Sequence, residues 1–126
     1  MRAAPHAPAA SSQSAGLAKA LLRAADRLGV RAQTLAAIIG LSPATLTRLK
    51  QGAFSLESGS KPFELAILFV RLFRSLDAIT GGDERIARAW LANPNTALDG
   101  APIEKIRTIC GLIDVIAYLD ARRAVL

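Results

Sequence analysis

Apolar positions in this chain recur every three or four residues, and no stretch alternates with the period of a strand. Leu17, Leu21, Ala25 and Leu28 are spaced four, four and three apart, which predicts one face of a helix ended by Gly29. Leu35, Ile38 and Ile39 predict a second, short helix closed by Gly40. Ser42 predicts the cap of a third, with Pro43 at its first position, where a missing N–H costs nothing. Leu46 and Leu49 form its inner face, Gly52 closes it, and residues 53–60 read as a loop. From Pro62 to about Ile79 a long helix is apolar over most of its circumference, leaving only a narrow polar stripe of Glu64, Arg71, Arg74 and Ser75.

After Gly81-Gly82, Asp83 or a neighbour starts a helix carrying Ile86 and Trp90, and Asn93-Pro94-Asn95 turns the chain. Ile103, Ile106, Cys110, Ile113 and Ala117 then follow at spacings of three, four, three and four. Leu112, Ile116 and Leu119 give the last helix a second apolar edge. The fold class expected is all-α, with residues 1–16 as a disordered tail, 17–81 as one helical module and 82–126 as a second.

Composition narrows the class of function. Hydrophobic residues make up 52% of the 126 and aromatics only 5%, a balance of helix packing rather than of a β-sandwich. A chain of this length has a thin core, so a partner or a second copy is expected to bury more surface. Arg71 and Arg74 interrupt the longest apolar run, so no membrane span is expected. One cysteine, Cys110, forms no internal disulfide, and a reducing cytoplasm is expected. Its place on an apolar face reads as a buried small hydrophobe. The single histidine, His6, falls in the tail, and no glycine-rich phosphate loop or metal-ligand motif is present. No catalytic residue, metal, cofactor or small-molecule substrate is therefore expected.

The net charge is +6, and its placement matters more than its size. Residues 17–61 hold seven Lys/Arg against Asp26 and Glu57, whereas residues 82–126 balance six basic against six acidic side chains. The excess in the first half points to a polyanion there.

Residues 32–51 supply the geometry for one. A DNA-binding helix-turn-helix needs a small residue where its helices cross, a glycine in the turn and an apolar inner face on its second helix. Ala36, Gly40, Leu46 and Leu49 meet those needs in order, with a spacing that resembles the Xre/Cro-like family. On this reading residues 42–50 form the recognition helix. Arg48 is the candidate for a guanine edge, because its fork bonds two acceptors at once. Ser42, Thr45 and Thr47 are placed to meet bases or phosphates, and Lys50, Arg31 and Gln33 to meet phosphates. One such module reads few bases, so a homodimer on a two-fold operator is expected, with the helix from Pro62 to Ile79 as a candidate contact.

Trp90, Pro94, Asn95, Leu98, Gly100, Pro102 and Gly111 form an ordered series that resembles the C-terminal toxin-binding domain of Xre-type antitoxins, the partners of RES-domain toxins. The resemblance implies a type II antitoxin. It implies that the last helix covers the NAD cleft of the toxin, and that the helix-turn-helix represses the shared operon. Carried onto this sequence, it places Trp90, Pro94, Asn95, Leu98, Gly111, Tyr118, Arg122, Arg123 and Leu126 at the toxin interface. The ending Asp120-Ala121-Arg122-Arg123 departs from the family's pattern, being basic and lacking a glycine in the last turn. A freestanding Xre-like regulator without a toxin, or a helical adaptor that has lost DNA binding, would fit the residues taken singly.

Overall fold

The computed structural model of the protein describes residues 11–124. Among them are seven α-helices: α1 (Ser12–Leu28), α2 (Ala32–Ile39), α3 (Pro43–Lys50), α4 (Lys61–Ile79), α5 (Glu84–Ala92), α6 (Pro102–Lys105) and α7 (Ile109–Ala124). A single 3-10 turn at Thr96–Leu98 and an isolated bridge between Asn95 and Gly100 complete the backbone. Among the described residues no helix is long and apolar enough to cross a membrane.

Local chemistry sets the helix ends. Ser42, Ser60 and Asp83 each accept a backbone N–H from the first turn of the helix that follows. Replacing Asp83 with alanine is expected to cost about 1 kcal/mol, read as a lower midpoint in urea with an unchanged slope. Gly40 closes α2 at φ +74°, a left-handed turn that lets α3 cross α2 with Ala36 buried beneath it. The first helix starts earlier than the apolar spacing indicates. Ser11 accepts the Ser14 N–H at 3.0 Å and Ser14 is buried, so residues 12–16 belong to α1 and not to a tail. Residues 1–10, including His6, lie outside the described residues.

The core gathers around α4, which packs on α1, α2 and α7. Phe69, Leu72 and Leu76 of α4 are completely enclosed, with Leu21 of α1, Leu35 and Ile39 of α2, and Leu112, Val115 and Leu119 of α7 in the same cluster. Burying this much aliphatic surface is the main force holding the helices together. The polar stripe of α4 is narrower than its sequence indicates, because Ser75 is 0% exposed. Its hydroxyl donates to Asp120 at 3.0 Å and accepts from Arg123 at 3.1 Å, so both of its roles are filled. Asp120 also accepts from Arg71, which ties α7 to α4 a second time. Ile67, in turn, sits outward and is 44% exposed.

The C-terminal register differs most from expectation. The apolar series from Ile103 to Ala117 is divided between two helices, for α6 ends at Lys105 and α7 begins at Ile109. The register of α7 buries Leu112, Ile116 and Leu119, the second of the two apolar edges, together with Val115, and turns Cys110, Ile113 and Ala117 outward. Cys110 is therefore exposed, not a core residue.

Candidate DNA-binding and partner-binding surfaces

Leu46 and Leu49 hold α3 against the core, so its opposite side is free. Along that side runs a short chain of hydrogen bonds. Ser42 Oγ accepts the Thr45 N–H at 3.1 Å and donates to Thr45 Oγ1 at 2.9 Å. Arg48 donates one N–H to Thr45 Oγ1 at 3.2 Å, which steadies the guanidinium and leaves most of its donors outward. Thr47 donates its hydroxyl to the Pro43 carbonyl at 3.1 Å. Ser42 and Thr47 thus spend their protons on α3 itself, and Arg48 is the side chain best presented to a base edge. Arg31 and Gln33 are exposed just before and within the first turn of α2. Lys50 is exposed at the far end of α3, beside Asp26 and Val30 at the α1–α2 turn.

The second surface is built from α5, α7 and the end of α4. Trp90 and Tyr118 stack with ring centres 6.2 Å apart and planes 17° from parallel. Arg122 lies 5.7 Å from the Tyr118 ring centre and donates to its hydroxyl at 2.8 Å. These side chains, with Ile79 and Ile86, line an open groove of about 230 Å³. Ile86 is 50% exposed, and Ile109 and Ile113, on another side of α7, are 59% and 46% exposed. An aromatic and aliphatic surface of this kind, left uncovered beside a charged side chain, is what a protein partner buries.

Several residues assigned to this interface by sequence have other duties. Leu98 and Gly111 are buried. Gly111 lies under the backbone of Lys105, where a Cβ would come within 1.8 Å of the carbonyl oxygen. Asn95 exchanges two backbone hydrogen bonds with Gly100, and its side chain accepts the Ala97 N–H at 2.9 Å. It shapes the loop that Pro94, exposed, introduces. Arg123, although exposed, is bonded to Ser75, and Leu126 lies outside the described residues. Trp90, Tyr118 and Arg122 are the assigned residues that the fold brings together on an open surface.

Sequence spacing gave no sign of the link between the two halves. Arg88 of α5 donates to the carbonyls of Arg27 and Asp26, both at 2.9 Å, and so caps the C-terminal end of α1. Arg27 pairs with Glu84 at 3.4 Å and with Asp77 at 3.7 Å. The Arg88 partners lie 61 and 62 residues away in the chain, beyond any local pattern.

A helix-turn-helix with a free basic face, joined through α4 to a helical unit with an exposed aromatic groove, defines a DNA-binding module fused to a module for a protein partner. Residues 7–71 match the family described as the antitoxin Xre-like helix-turn-helix domain. Residues 75–124 match the antitoxin Xre/MbcA/ParS C-terminal toxin-binding domain. The chain belongs to the Xre-type antitoxins. No match to a curated protein is found.

Proposed function

We propose that this antitoxin neutralises a RES-domain toxin by laying the C-terminal end of α7 over the toxin's NAD cleft, and that two copies repress their own operon through α3. The observation that carries the reading is the match of residues 75–124 to a toxin-binding domain, together with the open Trp90–Tyr118–Arg122 cluster inside that stretch. The resemblance to the partners of RES-domain toxins supports the rest. A guanidinium braced on a tyrosine is suited to a carboxylate of the toxin at the mouth of the cleft, because its planar fork bonds two acceptors at once. Arg122 is the residue of the terminal pair to which this role falls, since Arg123 is engaged by α4.

The test is co-expression with the protein encoded by the neighbouring gene, with complex formation, growth and cellular NAD as readouts. A stable complex that restores growth and NAD supports the proposal. A neighbour that is neither toxic nor bound leaves a regulator whose C-terminal module serves another partner. Within a working pair, Arg122→Glu is expected to lose neutralisation while the fold persists, and full neutralisation by that variant would refute the blocking role.

The DNA-binding half is tested separately. Arg48→Ala with Lys50→Ala should weaken operator binding by about a hundredfold or more, since a bidentate base contact contributes roughly 1–3 kcal/mol and the phosphate contact adds to it. Toxin binding by the same variant should be unchanged, and mobility shift beside pull-down reads both. Unaltered operator affinity would remove α3 from the interface.

A further inference from the structure

A groove that neither surface uses runs between α1 and α4. One stretch, about 470 Å³, has Leu17, Ala20, Ile67 and Val70 as its apolar floor and Arg71, Arg74 and Arg123 at its edge. A second stretch of about 300 Å³ shares Ala20, Val70 and Arg74 with the first and adds Lys19 and Arg23. Among the described residues no carboxylate lines either stretch. Asp120 pairs with Arg71 from outside the groove, so one of the bordering cations is already compensated. Five cations thus border an apolar trough, and within it Ile67 is 44% exposed.

Each half of this arrangement excludes some occupants. A solvated basic face needs no apolar floor. A nucleic-acid backbone would satisfy the cations and leave Ile67 and Leu17 uncovered, because sugar and phosphate offer little that an isoleucine gains by touching. A second copy meeting this face about a two-fold axis would set the same five cations against each other. An acidic amphipathic helix satisfies both halves, with its apolar stripe on the floor and its carboxylates along the two edges.

We infer that the α1–α4 groove is a docking site for an acidic amphipathic helix of a partner protein. The inference does not depend on the toxin being of the RES type or on the cleft being blocked. Lys19 and Arg23 come from α1, Arg71 and Arg74 from α4 and Arg123 from α7, so an occupant holds the DNA-binding module and the toxin-binding module at once.

The probe is a fluorescein-labelled synthetic helix of about five turns, with leucine along one side and glutamate on the other. Its controls are a scrambled peptide of the same composition and a labelled DNA duplex. Anisotropy with the full chain should show saturable binding of the amphipathic peptide, at least about tenfold tighter than the scrambled one. Ile67→Glu should weaken that binding about tenfold or more without altering DNA affinity. Lys19→Glu with Arg74→Glu should turn the preference toward a lysine version of the same peptide, which a misfolded protein would not do. The inference is overturned if neither peptide binds, or if the two glutamate peptides bind alike. It is overturned equally if Ile67→Glu reduces DNA affinity, or converts a dimer to a monomer in sedimentation.

Discussion

Gly111→Ala is expected to abolish toxin binding while leaving DNA binding close to that of the unaltered protein. The added Cβ would stand 1.8 Å from the Lys105 carbonyl oxygen and 2.7 Å from its carbon. Both atoms are backbone, and the turn that carries them is pinned by Ile106, which is 0% exposed, and by buried Pro102. No side chain can swing aside, so α7 must shift or the 105–108 turn must open. Thr108 accepts the Gly111 N–H at 3.0 Å, and either movement breaks that bond as well. Overpacking of a core costs about 1–3 kcal/mol, and a clash with fixed backbone belongs at or above the upper end. The melting temperature should fall by about 10 °C or more, and a pull-down should lose the toxin. A variant that melts with the unaltered protein would show that the α6–α7 junction is looser than its packing indicates.

Phe69→Ala is expected to remove both functions together. Phe69 is completely enclosed on the helix that α1, α2 and α7 share. Its loss should cost about 3–5 kcal/mol through lost transfer energy and the cavity left behind. For a domain whose total stability is about 5–15 kcal/mol, that is a large part of the whole. Urea unfolding followed by helical signal should show one lower midpoint, with operator and toxin binding failing over the same range. If one activity survives well past the other, α4 does not serve as a common core.

What could be read from the sequence follows from which forces are local. The caps at Ser42 and Asp83, the glycine turn at Gly40 and the inner faces of α1 to α4 depend on residues within one or two turns of each other. The apolar spacing indicates those elements correctly, and the order of Trp90, Pro94 and Gly111 points to the right family. The C-terminal register was not legible, because two apolar edges compete on α7. The close approach of Gly111 to Lys105 and the packing of α7 on α4 favour the edge with Leu112 and Leu119, and Cys110 and Ile113 stay outside. The start of α1 was missed for another reason. A Ser-Ala-Gly composition resembles a tail, yet Ser11 caps a helix whose Ser14 is buried against the rest of the chain. The Arg88 cap on α1 and the Arg71–Asp120–Ser75–Arg123 cluster join positions far apart in the chain, and no period announces them.

The shared helix also decides how the molecule handles two loads. There is no hinge segment between the end of one family match at residue 71 and the start of the next at residue 75, since both fall inside α4. Nineteen residues of α-helix give a strut of about 28 Å, tied to α1 by the Arg27–Asp77 pair and to α7 by Arg71. A toxin held by this protein is carried at a fixed bearing to the double helix. On the proposed function its bulk, and not the reach of a tether, would set how closely neighbouring copies can stand along an operator.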